Sequence, residues 1–249
     1  MPTHHFPKTK LKLAIIAPRV LAAAVALSNM LKTFCRFTFA AALLAVVAIT
    51  STRAAEVVRV ACVGDSITFG AGVEKREVNN YPTVLGQLLG AGFETKNFGV
   101  SGATLLQNGD HPYWKTGAFK AATDYAPKIV VIKLGTNDSK PQNWKLKEQF
   151  GVDLRAMADH FAALPSKPKI YLCLPAPVYQ ERWGINEPVV KGEVLPIINE
   201  VAKEKGLAII DLYTALSGHP EMFPDKIHPN AAGAALLAKT VHAALTAGR

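Results

Sequence analysis

The chain is short of the residues that announce most cofactors. Its 249 residues hold three cysteines, and one of them, Cys35, lies within the first 54 positions. The seven histidines are scattered, with no pair at ligand spacing and no acidic cluster beside them, so no metal site is implied. No glycine-rich phosphate loop and no stripe of aromatic and basic residues is present, so neither a nucleotide cofactor nor a nucleic-acid partner is expected. There is no internal repeat and no low-complexity segment. There is also no G-x-S-x-G, which excludes the nucleophile elbow of one large class of α/β enzymes. No apolar run reaches the roughly 20 residues that a membrane-spanning helix requires.

Acidic residues are missing from one region in particular. The formal charge is +9, yet Lys8, Lys10, Lys12, Arg19, Lys32, Arg36 and Arg53 fall in residues 1–54 and none of the 19 acidic residues does. Residues 55–249 therefore carry 21 basic against 19 acidic residues, and the positive excess belongs to the leading segment. From Met30 that segment has the layout of a secretory signal peptide: Lys32 and Arg36, an apolar run from Phe37 to Ile49, then small residues. The expectation is a leader over 1–54 whose natural start is Met30, cleaved after Ala54, with an uncleaved anchor as the competing reading. A single domain then spans 55–249, secreted or periplasmic, with no stable membrane insertion once the leader is gone. Cys35 lacks the small residues that surround a lipidated cysteine. Cys62 and Cys173 each sit in an apolar, strand-like run and are expected as two buried thiols.

What is present alternates in a regular way. EVVRVACVG (56–64), FETKNFG (93–99), KIVVIKLG (128–135), PKIYLCLP and LAIIDL read as five strands, the third nearly continuous in β-branched residues, as in a strand buried on both faces. Between them, YPTVLGQLLG (81–90), LKEQFGVDLRAMADHFAAL (146–164), VVKGEVLPIINEVAKEKG and NAAGAALLAKTVHAAL read as helices, the third despite Pro196. Such alternation predicts a parallel sheet wrapped on both faces, with any ligand beyond the carboxyl ends of the strands. Lys133 is out of place in the third strand, because an unpaired buried ammonium is costly; it should reach an edge or a carboxylate.

The segments at those carboxyl ends are GDSITFG, NFGVSGAT, GTND and DKIHPN. Taken alone, DKIHPN has three readings: an acid–base pair, a metal-binding fragment, or a turn before the last helix in which Pro229 and Asn230 start the helix. The other segments supply what ester hydrolysis needs. Ser66 is a hydroxyl at the tip of the first strand, His228 a base that could take its proton, and Asp225 an acceptor that could orient the base. The N–H groups of Ser66 and Gly102 and the Asn137 amide are candidate donors to an oxyanion. The structural alternatives are a helix cap for Ser66, a turn for Asn137 and a tight backbone path for Gly102. Asp138 reads as a local hydrogen-bond acceptor, and His111 and His219 as surface or loop residues.

Taken in order, GDSITFG, NFGVSGAT, GTND and DKIHPN resemble the SGNH, or GDSL-type, hydrolase family over nearly all of residues 55–249. Ile67 stands where the name-giving motif has leucine. The resemblance implies a flavodoxin-like three-layer α/β/α fold with a five-stranded parallel sheet. It also implies no metal or other cofactor, and acyl transfer through Ser66, His228 and Asp225. Within the family, stretches such as NYPTVLGQLLG, PYW and IKLGTNDSKPQNW are similar to secreted bacterial esterases that remove acetyl groups from carbohydrate. The expected partner is thus a small-molecule or polysaccharide ester. Two other functions are carried forward: an esterase acting on lipid or aryl esters, and a non-catalytic carbohydrate-binding module on the same fold. Trp114, Trp144 and Trp183 are candidates for a sugar-stacking surface, with core packing as the alternative for each.

Overall fold

In a computed structural model of the protein, the described residues are 56–247 together with Leu27, Asn29, Met30 and Lys32. Apart from those four positions, the expected leader and its cleavage point lie outside the described residues. Residues 56 onward form a compact unit of their own.

Five strands form one all-parallel sheet in the order β2-β1-β3-β4-β5: β1 (Val58–Gly64), β2 (Phe93–Gly99), β3 (Ile129–Lys133), β4 (Lys169–Leu174) and β5 (Ala208–Asp211). The expected five-stranded α/β/α architecture is what the chain forms. Among the helices of the described residues are α1 (Ser66–Phe69), α2 (Tyr81–Leu89), α3 (Gly117–Asp124), α4 (Lys147–Ala162), α5 (Leu195–Lys205) and α6 (Ala231–Thr246), with further short helical turns between them.

Period-two alternation in the strands divides the core into two layers. Ala61, Val63, Val130, Ile132, Ile170 and Leu172 face Phe150, Leu154, Met157 and Phe161 of α4 and Ile198, Val201 and Ala202 of α5. The alternate residues, Val60, Cys62, Ile129, Val131, Tyr171 and Cys173, face Leu85 of α2 and Leu237, Ala238 and Val241 of α6. Cys62 and Cys173 are both buried and unbridged. Pro196 does not break its helix. It is the second residue of α5, and a π turn over Val190–Val194 precedes it, where the hydrogen-bond ladder is already irregular.

In this strand order the chain steps one way from β1 to β2 and then crosses back past β1 to β3, reversing direction. The crevice for a ligand therefore opens beyond the ends of β1 and β3. Those two ends are in register, Gly64 beside Lys133. A Cβ on Gly64 would lie 2.6 Å from the Lys133 carbonyl and 2.1 Å from Thr68 Oγ1, so only glycine lets the two strand ends close up here.

Candidate active site

Ser66 opens α1, a single turn held at both ends. Asp65 caps it, its Oδ1 accepting the Ile67 N–H at 3.0 Å. Gly70, at φ 90°, ends it, and its N–H returns to the Ser66 carbonyl. From β2, Asn97 Nδ2 donates to the Thr68 carbonyl at 2.8 Å and ties the turn to the sheet. Ser66 is 6% exposed, enough to present its hydroxyl at the surface of the crevice.

An imidazole arrives from the loop before α6. His228 Nε2 lies 2.8 Å from Ser66 Oγ, and its Nδ1 lies 2.8 Å from Asp225 Oδ2. Asp225 Oδ1 also accepts the N–H groups of Ile227 at 2.9 Å and His228 at 2.7 Å. Burial alone would raise the Asp225 carboxyl, but the hydrogen bonds from the His228 main chain and ring and from Ile227 outweigh it and hold the group below its ordinary range. The carboxylate is thus charged at neutral pH and fixes Nδ1 as the protonated nitrogen, leaving Nε2 to accept from the serine hydroxyl. Asn230 caps α6 by accepting the Gly233 N–H, so the turn reading of DKIHPN holds alongside the pairing of Asp225 with His228.

Ser66, Gly102 and Asn137 line one pocket of about 240 Å³, together with Ala71, Ser101, Lys140, Trp183, Ile185 and His228. Gly102 has φ 82°, a left-handed conformation that side chains disfavour, so the glycine is required by the backbone path as well as by access to its N–H. The Asn137 amide has two N–H groups; one donates to the Ala103 carbonyl at 3.1 Å, which orients the amide and leaves the second to serve the pocket. Asp138 is a local acceptor, as its place in GTND suggested. It takes the N–H groups of Leu105 at 3.0 Å and Leu106 at 2.8 Å and so secures the loop that follows Gly102. Burial pushes its carboxyl up to about 7 against the pull of those two N–H groups, with Asp65 nearby adding to the rise.

The three tryptophans separate. Trp183 is 53% exposed, and its ring centroid stands 5.6 Å from that of His228. Trp144 is buried against the Phe150 ring at 5.5 Å, and Trp114 packs on Phe119 at 5.2 Å while its Nε1 donates to the Leu105 carbonyl. Neither lines the pocket, so the expectation of a three-tryptophan stacking surface narrows to Trp183. The physical reason is that the segments holding Trp114 and Trp144 fold back onto α3 and α4, where a large ring buries more area than it would at the rim. Two of the lining residues, Lys140 and Ile185, were not expected from the sequence. Lys140 follows GTNDS directly and could have been found from that adjacency. Ile185 reaches the pocket because Arg182 and Ile185 bridge across the tight turn at Trp183 and Gly184, which no local pattern announces.

Among the described residues, no three His, Cys, Asp or Glu side chains gather in a way that could hold a metal ion, and no helix is long and apolar enough to cross a membrane.

A serine, a histidine and an aspartate in a hydrogen-bonded line at the carboxyl edge of a parallel sheet is an arrangement able to carry out acyl transfer. Residues 62–236 match the model of the GDSL-like lipase/acylhydrolase family, and the chain belongs to that family. It is 43% identical over 208 residues to an acetylxylan esterase from Xylanibacter ruminicola, a match covering 76% of this chain and 43% of that protein. The chain thus spans less than half the length of this relative. Among solved structures it is similar to a carbohydrate acetylesterase from Sinorhizobium meliloti, with a TM-score of 0.64 at 19% identity over 76% of this chain and 99% of that one. It is also similar to the M. smegmatis aryl esterase, with a TM-score of 0.63 at 20% identity over 76% and 98% of the two chains. At those identities the likeness is one of fold.

Proposed function

We propose that the protein is a secreted serine esterase that removes acetyl groups from carbohydrate. The observation that carries this reading is the unbroken line from Asp225 Oδ2 through the His228 ring to Ser66 Oγ, ending in a small pocket. His228 Nε2 takes the Ser66 proton as Oγ attacks the acetyl carbonyl. The developing oxyanion is met by the N–H groups of Ser66 and Gly102 and by the Asn137 amide. The same imidazole then returns its proton to the departing sugar hydroxyl. Water repeats the sequence on acyl-Ser66 and releases acetate.

The pocket size supports a short acyl group, and Trp183 beside His228 supplies a flat face on which a sugar ring can stack. The 43% identical acetylxylan esterase supports the same substrate class. The Met30–Ala54 pattern supports export, with residues 1–54 as leader and 55–249 as the hydrolase domain.

Ser66→Ala should abolish p-nitrophenyl acetate hydrolysis with the thermal midpoint within a few degrees of wild type; surviving activity would defeat the mechanism. Rates that rise with acyl length beyond butyrate would defeat the acetyl reading and favour a lipid substrate. Acetate release from acetylated polysaccharides identifies the polymer.

A further inference from the structure

Lys133 ends β3 and is fully buried, as is Asp65. Its Nζ donates to Asp65 Oδ1 at 3.0 Å, to Asp65 Oδ2 at 2.9 Å and to Thr136 Oγ1 at 2.8 Å. An ammonium has three N–H donors, and three acceptors surround this one. The residue that was out of place in the strand has found its carboxylate 68 positions earlier in the chain.

Both acceptors adjoin the reacting groups without belonging to them. Asp65 precedes Ser66 and caps its helical turn. Thr136 precedes Asn137, and its carbonyl accepts the Ser139 hydroxyl at 2.8 Å, which closes the turn that presents the Asn137 amide. One ammonium therefore sets the spacing between the serine turn at the end of β1 and the asparagine turn at the end of β3. Stability is a poor reason for such a pair, because exchanging a buried ion pair for apolar residues of like volume is often neutral or favourable. A site whose donors must meet a tetrahedral oxyanion has a better one, since a displacement on the order of 1 Å can cost about 100-fold in rate.

We propose that Lys133 is a positioning residue for ester hydrolysis: through Asp65 and Thr136 it holds the Ser66 and Asn137 oxyanion donors at their working separation. This rests on the acyl-serine reading above. The test pairs Asp65→Asn with Lys133→Met in one variant, so that no charge is left buried alone, and sets beside it Thr136→Val, which removes the third acceptor and keeps its shape. Kinetics on p-nitrophenyl acetate and thermal midpoints are measured for both, with Ser66→Ala run in parallel.

The expected result for the double variant is a midpoint within a few degrees of wild type, KM within about twofold, and kcat down roughly 10- to 100-fold. Thr136→Val should lose about three- to tenfold in kcat with KM unchanged. Wild-type kcat in either folded variant overturns the proposal. Failure of both to fold overturns it too, by making the pair structural. An inert Ser66→Ala together with a fully active double variant would reject only the role of Lys133, whereas an active Ser66→Ala would reject the acyl-serine reading itself.

Discussion

Replacing Asp225 by Asn isolates the contribution of a single proton position. Asn is the same shape, and its Oδ1 can still accept the Ile227 and His228 N–H groups, so the loop before α6 should keep its conformation. What changes is the atom 2.8 Å from His228 Nδ1. An amide Nδ2 placed there donates, so the ring relaxes by moving its proton to Nε2, which then points a donor at Ser66 Oγ and can no longer act as base. To react, the variant must restore the other tautomer and set an N–H against an N–H, leaving a donor unpaired at about 1–3 kcal/mol. It also forgoes the charge-assisted bond to the imidazolium as it forms, about 1.5–3 kcal/mol. Together these come to about 2.5–6 kcal/mol, or roughly 10²- to 10⁴-fold in kcat. The assay is the initial rate at saturating p-nitrophenyl acetate, with KM and the thermal midpoint measured on the same preparation. A loss of less than tenfold in a normally folded Asp225→Asn protein would refute the argument that the carboxylate selects the tautomer.

Three further outcomes follow from the same geometry. Asn137→Ala removes one oxyanion donor and should lower kcat about 10²- to 10³-fold with little change in KM; equal rates would remove Asn137 from the oxyanion site. Trp183→Ala should raise KM for an acetylated oligosaccharide about three- to tenfold while leaving p-nitrophenyl acetate kinetics within about twofold, and an unchanged oligosaccharide KM would deny the ring a stacking role. Asp138 should make stability depend on pH: with its folded carboxyl raised to about 7, its contribution is fully present below pH 4 and is lost as pH rises to 7. The midpoint difference between wild type and Asp138→Asn should therefore fall across that interval and level off above it, and a flat difference would show that the group ionises normally in the fold.

The central strands were legible because burial on both faces demands near-continuous apolar runs, and IVVIK or KIYLCL has few other uses. A helix end was legible where chemistry marks it, as at Asn230, whose side chain caps α6. The helix α3 went unread, since Gly117–Asp124 has only eight residues and begins with a glycine. At the site, Ser66, Asp225 and His228 were singled out because four separated motifs each carried a group that ester hydrolysis would use, and the fold brings the three side chains into one hydrogen-bonded line. The partner of Lys133 could not be, since nothing local links positions 65 and 133 until β1 and β3 lie side by side. The tryptophans show the same limit: all three sit in loop-like stretches, and only the folded chain separates the ring beside His228 from the two that pack inward.

The turn that carries Trp183 is a further matter of conformational strain. Trp183 has φ 55° and Gly184 φ 76°, so two left-handed residues in succession make the turn, and the first of them is the bulkiest side chain available. Such a backbone costs a non-glycine residue about 1–2 kcal/mol. The Arg182 guanidinium, 4.5 Å over the indole, offsets part of that from outside the pocket. A glycine at 183 would relax the turn and leave the line from Asp225 through His228 to Ser66 intact, so the fold stores energy at this point to keep a ring at the rim. Thermostability selection alone would erode that ring, whereas selection on binding at the rim would keep it.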